Sequence, residues 1–214
     1  MVDDSVCRLC GAGEAVFFHA DNTREYYRCK GCSLVFVPEK FWPSSLEERA
    51  VYDLHQNSEE DAGYKKFLSR LSDPLLERLE PGDCGLDFGC GPGPLLMRIF
   101  QEQGYGVEPF DPLYYNDPSL LQQRYDFITA TEVVEHFREP GKEFQLLFSM
   151  LNLGGWLGIM TKRVLNRQAF STWHYIRDVT HISFFCEETF RYLASHYNAE
   201  LIVTGPDVVL FNKR

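Results

Sequence analysis

The stretch Leu86-Asp87-Phe88-Gly89-Cys90-Gly91-Pro92-Gly93 decides how this chain is read. An apolar run from Cys84 to Phe88 carries one acid and then gives way to glycines at every second position. From Leu95 the apolar residues Leu95, Leu96, Ile99 and Phe100 recur at helical spacing. The pattern predicts a buried strand, a tight glycine turn and a helix. Glycines let the backbone approach a ligand closely, and the helix start behind them offers free N–H groups to a polar or anionic group. The spacing of Gly89, Gly91 and Gly93 differs from the dinucleotide fingerprint, whose third glycine comes later.

Downstream, Gly104 to Asp111 predicts a second strand ending in an acid. Only 14 residues then separate Asp111 from Asp126, too few for a full helix and third strand. Tyr125 to Ala130 is the next buried strand. A helix follows from Gly141, with Phe144, Leu147, Phe148 and Leu151 on one face, then a turn at Asn152-Leu153-Gly154-Gly155 and a strand from Trp156 to Thr161. A last helix carries Phe190, Leu193, Ala194 and Tyr197. It precedes a hairpin of Leu201–Val203 with Val208–Leu210 about Gly205-Pro206-Asp207. Upstream, Pro43-Ser44-Ser45 predicts a helix start. Apolar positions from Tyr64 to Leu79 keep helical spacing, with a restart expected at Pro74.

The chain has 214 residues, 44% of them hydrophobic and 24% charged, which is the composition of a soluble globular protein with one sizeable core and a small accessory unit. A formal charge of −10 opposes a surface laid broadly on nucleic acid or anionic lipid, although a local basic group such as Lys162, Arg163, Arg167 and Arg177 stays open. No apolar run approaches the ~20 residues that span a membrane. The acidic start Met1-Val2-Asp3-Asp4 is unlike a signal peptide, so the expected location is the cytoplasm.

Four of the seven cysteines fall as Cys7-x2-Cys10 and Cys29-x2-Cys32 with 18 residues between the pairs. In a reducing compartment this is the spacing of a tetrahedral zinc site, with redox or iron chemistry as the alternative. The metal would replace the core that about 40 residues cannot build alone. Val16-Phe17-Phe18, Tyr26-Tyr27 and Leu34–Val37 would be its short strands. The segment resembles the zinc ribbon at the N-terminus of many bacterial methyltransferases.

The glycine turn, the acid-ended strand, the block Tyr125–Phe137 and the block Leu151–Thr161 stand in the order seen in class I S-adenosylmethionine (SAM) methyltransferases, and the chain resembles that family over residues 84–161. The resemblance implies an α/β fold, a Rossmann-like sheet with helices on both faces, shortened around the third strand. It implies SAM as cofactor, with Asp87, Gly89, Cys90, Gly91 and Gly93 around its methionine part. Counting from Gly104 as in that family selects Asp111 for the ribose hydroxyls, with Glu108 in reserve, and Thr131 and Glu132 are expected at the cofactor as well. The division expected is 1–40 zinc ribbon, 41–80 helical connector over the cofactor pocket, and 81–214 methyltransferase domain.

Glu132, Glu135 and His136 stand at i, i+3 and i+4, so a helical turn there would put all three on one face. His181 lies downstream, just before Phe184–Phe190. This E-x-x-E-H block with a later His is similar to that of small-RNA 3′-terminal 2′-O-methyltransferases, and polyprenyl-benzoquinol O-methyltransferases share the block and the fold. On that resemblance Glu132, Glu135, His136 and His181 would hold Mg²⁺. In a metal-free version Glu135, His136 and His181 are the catalytic candidates, with a His as general base. The chain lacks the D/N-P-P-Y/F sequence of base amino-methylation and a Pro-Cys nucleophile. The favoured acceptor is therefore a small-molecule hydroxyl; RNA methylation at a terminal ribose and a non-catalytic SAM-binding or zinc-ribbon module remain the alternatives.

Overall fold

A computed structural model describes residues 6–53 and 61–214; the acidic start and the 54–60 part of the connector lie outside the described residues. The chain divides into two compact units, each built from separated segments.

One unit comprises Asn57–Val133, Phe144–Thr161 and Ala194–Arg214. Its sheet has six strands in the order β5-β4-β6-β7-β10-β9. Here β4 is Cys84–Phe88, β5 Gly106–Phe110, β6 Tyr125–Thr131, β7 Leu151–Met160, β9 Ala199–Val203 and β10 Val208–Lys213. The first four run parallel, and β10 lies antiparallel between β7 and β9. Among the described residues no strand lies between β5 and β6 along the sequence, where an isolated bridge of Asp111 to Tyr115 and a 3₁₀ turn at Leu120–Gln122 fill the shortened connection. The Rossmann-like sheet and its abbreviated third-strand region are as the sequence predicts.

Alternation along β10 sorts the two faces. Val208 and Leu210 point into a cluster with Leu68, Leu71 and Leu75 of α2 (Ala62–Leu76) and Leu95, Leu96 and Phe100 of α3 (Leu95–Glu102). Phe211 points the other way, its ring 5.6 Å from Phe148 of α4 (Pro140–Met150). Strict alternation of this kind is what places helices on both faces of a sheet. Burying Leu68, Leu71 and Leu75 is worth about 2 kcal/mol each.

Two local expectations are corrected. The helix α2 does not restart at Pro74 but runs through it to Leu76. Only two residues follow the proline, so one lost backbone bond is outweighed by the continuous buried stripe of Leu68, Leu71 and Leu75. The Asn152–Gly155 segment is not a turn ahead of a strand but an irregularity inside β7, where Tyr125 pairs Leu151 and Phe127 pairs Trp156. Asn152 Nδ2 donates to Asp126 Oδ1 at 2.7 Å, which ties the extra residues to the neighbouring strand.

The other unit comprises Met1–Gln56, Val134–Glu143 and Lys162–Leu193. Its sheet runs β1-β2-β3-β8, with β1 Ala15–Ala20, β2 Glu25–Cys29, β3 Val35–Phe36 and β8 Ser183–Phe184, all antiparallel. The last of the three N-terminal strands thus pairs with a fourth taken from far along the chain, Ser183–Phe184. Their core is shared as well: Phe18, Tyr26, Val35 and Val37 pack with Phe170, Tyr175, Ile182 and Phe184. A ribbon too small for its own core gains one from the distant segment. Helix α1 (Ser45–Tyr52) opens on Ser44 with a reciprocal Ser44–Glu47 cap, as its sequence predicts. In this division α1 belongs to the unit with the cysteines and α2 to the unit with the six-stranded sheet. No helix among the described residues is long and apolar enough to cross a membrane.

Candidate active site

In the six-stranded unit the carboxyl ends of β4, β5 and β6 converge on the glycine turn. Gly89 takes a φ of +74°, and a Cβ there would lie 2.5 Å from a methyl of Val133. Both the backbone conformation and the close approach demand glycine. Asp87, buried at the end of β4, accepts from Thr129 Oγ1 at 2.9 Å. Burial pushes its carboxyl up to about 6, against the hydrogen bonds from Thr129 and the Met97 N–H at the start of α3. Burial also raises the Cys90 thiol, followed by the nearby charges of Asp87 and Asp111, which disfavours the thiolate.

Asp111 sits where β5 ends. Its Oδ2 accepts from Gly91 N–H at 3.1 Å, and its Oδ1 accepts from Leu113 and Tyr114 N–H at 2.8 and 3.2 Å. It thereby ties the turn after β5 to the glycine turn. Thr131 Oγ1 is buried without a hydrogen-bond partner among the described residues. Next to it Glu132 adopts a φ of +52°, one of three non-glycine residues in the left-handed region among the described residues. Such strain costs about 1 kcal/mol and concentrates at ligand-binding loops.

The expected one-face helix of Glu132, Glu135 and His136 is not formed. The left-handed Glu132 breaks the helical path, and only a 3₁₀ turn at Val134–His136 follows. The group drawn together, with ligand atoms within 4.8 Å of one another, is Glu135, His136 and His181. Glu132 is not part of it.

This cluster belongs wholly to the cysteine-bearing unit. Glu135 is fully buried and accepts a short hydrogen bond from Tyr175 Oη. His136 Nδ1 lies 3.2 Å from Thr180 O and His181 Nδ1 lies 2.8 Å from Tyr175 O. A carbonyl oxygen can only accept, so each Nδ1 carries a hydrogen, and in a neutral His136 the lone pair is on Nε2. Burial, then the facing His181, hold the His136 imidazole down at about 4. It is neutral at physiological pH. Asp178 Oδ2 lies 3.7 Å from His181 Nε2. Burial pushes the Asp178 carboxyl up, but hydrogen bonds from Thr180 and the neighbouring histidines outweigh it and the net shift is downward.

Sequence reasoning missed Thr129, which holds Asp87, and Thr180 and Asp178, which orient the histidines; it left Tyr175 undecided between pocket and core. The tripeptide Asp178-Val179-Thr180 makes an Asx turn at 2.9 Å, a signal readable in principle just ahead of His181.

The four cysteines also converge. Cys7 Sγ and Cys32 Sγ are 3.5 Å apart, and Cys10 Sγ and Cys29 Sγ are 3.4 Å apart. A zinc tetrahedron with ~2.3 Å bonds has edges of about 3.8 Å, so the donor set fits that ion.

Comparison with known proteins places this geometry. Residues 57–203 match the family described as "Methyltransferase domain", and the chain belongs to that family. It is a SAM-dependent methyltransferase of the class I fold. Among solved structures, a SAM-dependent methyltransferase from Archaeoglobus fulgidus superposes with a TM-score of 0.55 at 16% identity, covering 78% of this chain and 99% of that one. An O-methyltransferase family protein from Burkholderia thailandensis gives 0.52 at 14% identity, over 82% of this chain and 65% of that one. CalO1, a methyltransferase of calicheamicin biosynthesis solved with S-adenosylhomocysteine bound, gives 0.50 at 11% identity, over 79% and 59%. At these identities the likeness is one of fold. No curated protein sequence matches the chain.

Proposed function

We propose that this enzyme methylates a hydroxyl of a small molecule, with His136 or His181 as general base and a structural zinc ion on Cys7, Cys10, Cys29 and Cys32. SAM supplies an electrophilic sulfonium methyl. Asp87, the backbone of Gly89, Cys90, Gly91 and Gly93, Asp111, Thr131 and Glu132 are the residues we assign to holding it. The unpartnered Thr131 Oγ1 and the strained Glu132 support that assignment.

The observation that carries the acceptor reading is the buried histidine pair, in which His136 is held neutral. An imidazole whose Nδ1–H is fixed on a backbone carbonyl offers Nε2 to a hydroxyl proton, and the depressed pKa of His136 keeps that lone pair available. Glu135, hydrogen-bonded to Tyr175, is the charge that would stabilise an imidazolium in the cluster once a proton is taken. We favour this base over the Mg²⁺ alternative. With Glu132 apart, the donor set is one carboxylate and two imidazoles, nitrogen-rich for an ion that prefers oxygen. The acceptor is a small molecule and not RNA because the formal charge is −10.

The test is transfer of labelled methyl from SAM into a cell extract, with products divided into small-molecule, RNA and protein fractions. The expected label is in the small-molecule fraction, insensitive to EDTA added at constant zinc content and lost in His136→Ala. Label released only by ribonuclease would overturn the acceptor, and restoration of an EDTA-treated enzyme by Mg²⁺ would overturn the metal-free base.

A further inference from the structure

We infer that the cysteine ribbon is the positioning frame of the Glu135–His136–His181 cluster, and that Arg24 at the tip of its hairpin is the residue that sets the segment carrying Tyr175 and His181. The inference rests on the base reading for its catalytic consequence, but its geometry stands apart from it.

The ribbon grips the cluster-bearing segments at three places. At the first cysteine pair, Gly141 N–H donates to Arg8 O at 3.0 Å, and a Cβ on Gly141 would stand 2.7 Å from Leu9 O. Arg8 adds ion pairs to Glu39 and Glu139. This fixes the chain a few residues after His136. Along the sheet, Val37 N–H donates to Ile182 O at 2.9 Å, and Ile182 N–H donates to Glu135 O at 2.9 Å. One residue next to His181 therefore joins the ribbon's last strand to the backbone of Glu135.

The third grip is at the hairpin tip. Arg24 is 4% exposed, and its guanidinium donates to Val179 O at 2.9 Å, Ile176 O at 2.8 Å, Asp178 O at 2.7 Å and Tyr26 Oη at 2.8 Å. Tyr26 in turn donates to Asp21 Oδ2 at 2.6 Å, which brings a counter-charge to the group. Three consecutive-turn carbonyls on one planar fork define the path of residues 176–179, between Tyr175 and His181. The Tyr175 ring lies 4.1 Å from the His181 ring and its carbonyl holds His181 Nδ1. A guanidinium fits this role because it presents several donors in fixed directions; a lysine has one charged nitrogen to offer. Cys29 ends the strand that carries Tyr26, so the metal end and the gripping end are one hairpin.

The experiment uses the full chain with its zinc, labelled with ¹³C and ¹⁵N in histidine. Arg24→Met is expected to retain zinc and to bind SAM within about twofold of the parent. Its His181 and His136 ring signals should shift or broaden, and methyl transfer into the accepting extract fraction should lose about tenfold or more in kcat with an unchanged KM for SAM. Arg24→Lys should recover part of both. Ring signals and kcat that stay at parent values would overturn the inference, as would loss of zinc in step with the signals, which would make Arg24 a folding residue only. Should Arg24→Met fail to fold, Tyr26→Phe, which removes one acceptor and the link to Asp21, decides by the same readouts. Ring signals that move while His136→Ala keeps full transfer would uphold the positioning and overturn the base.

Discussion

In the cradle proposed for the cofactor, Gly89 has no room for a side chain, and the assigned residues come from the ends of the neighbouring strands β4, β5 and β6. In the Glu135–His136–His181 cluster the chemistry is all side chain, and the pieces come from residues 135–136, 175–181 and the ribbon at 8–37. The first region is assembled by local sequence, the second by long-range pairing. A change in either should therefore leave a different signature, and the two should separate cleanly in experiment.

The largest separation is expected from the metal side. Cys29→Ser removes one of four thiolates, and a site of this kind is worth on the order of 10 kcal/mol to a small fold. Zinc should fall to background and amides of β1–β3 and β8 should exchange rapidly. SAM binding, measured by calorimetry, should change by less than about threefold, because the cradle residues belong to the other unit. Equal loss of both would break the comparison.

Gly89→Ala reverses the pattern. The +74° φ costs a non-glycine residue about 1–2 kcal/mol, and the new Cβ would meet Val133 at 2.5 Å. SAM affinity should fall about 100-fold, near 3 kcal/mol, while zinc content stays at the parent level. Adding Val133→Ala should restore part of the affinity by removing the clash and leaving the φ penalty. No rescue would mean that the conformation alone limits the turn.

The same contrast governs what the sequence disclosed. The strand Cys84–Phe88, the turn at Gly89 and the acid at Asp111 could be read because period, glycine and strand end lie within 30 residues of each other. The cysteine pairs were equally legible, since metal-ligand spacing is local. The expectation that Glu132 shares a face with Glu135 and His136 assumed helical spacing through a residue whose backbone is left-handed, which no local sequence signal marks. Arg24 gave no signal at all. Nothing local distinguishes it from a surface arginine in a hairpin tip, and its role exists only once residues 176–179 are packed against it.

The smallest effect, and the finest test of the cluster, is its pH dependence. Tyr52, Glu135 and His181 face His136, and the charges of Asp178 and Glu48 act on it. The unfolded chain binds a proton at the ordinary histidine value of 6.5, whereas the folded chain resists it until about 4. This contribution is thus complete above 6.5 and is lost as pH falls from 6.5 toward 4, with a slope of at most about 1.4 kcal/mol per pH unit. Asp178, shifted downward from 3.8, loses its contribution only below that window. Asp87 and Glu143, raised to about 6 and about 7, add stability over the same range in parent and variant alike. Urea unfolding followed by tryptophan fluorescence should therefore change between pH 7 and pH 5 by about 2 kcal/mol less favourably in the parent than in His136→Gln. An equal change in the variant would assign the slope to another group and remove the evidence that His136 is held neutral for use as a base.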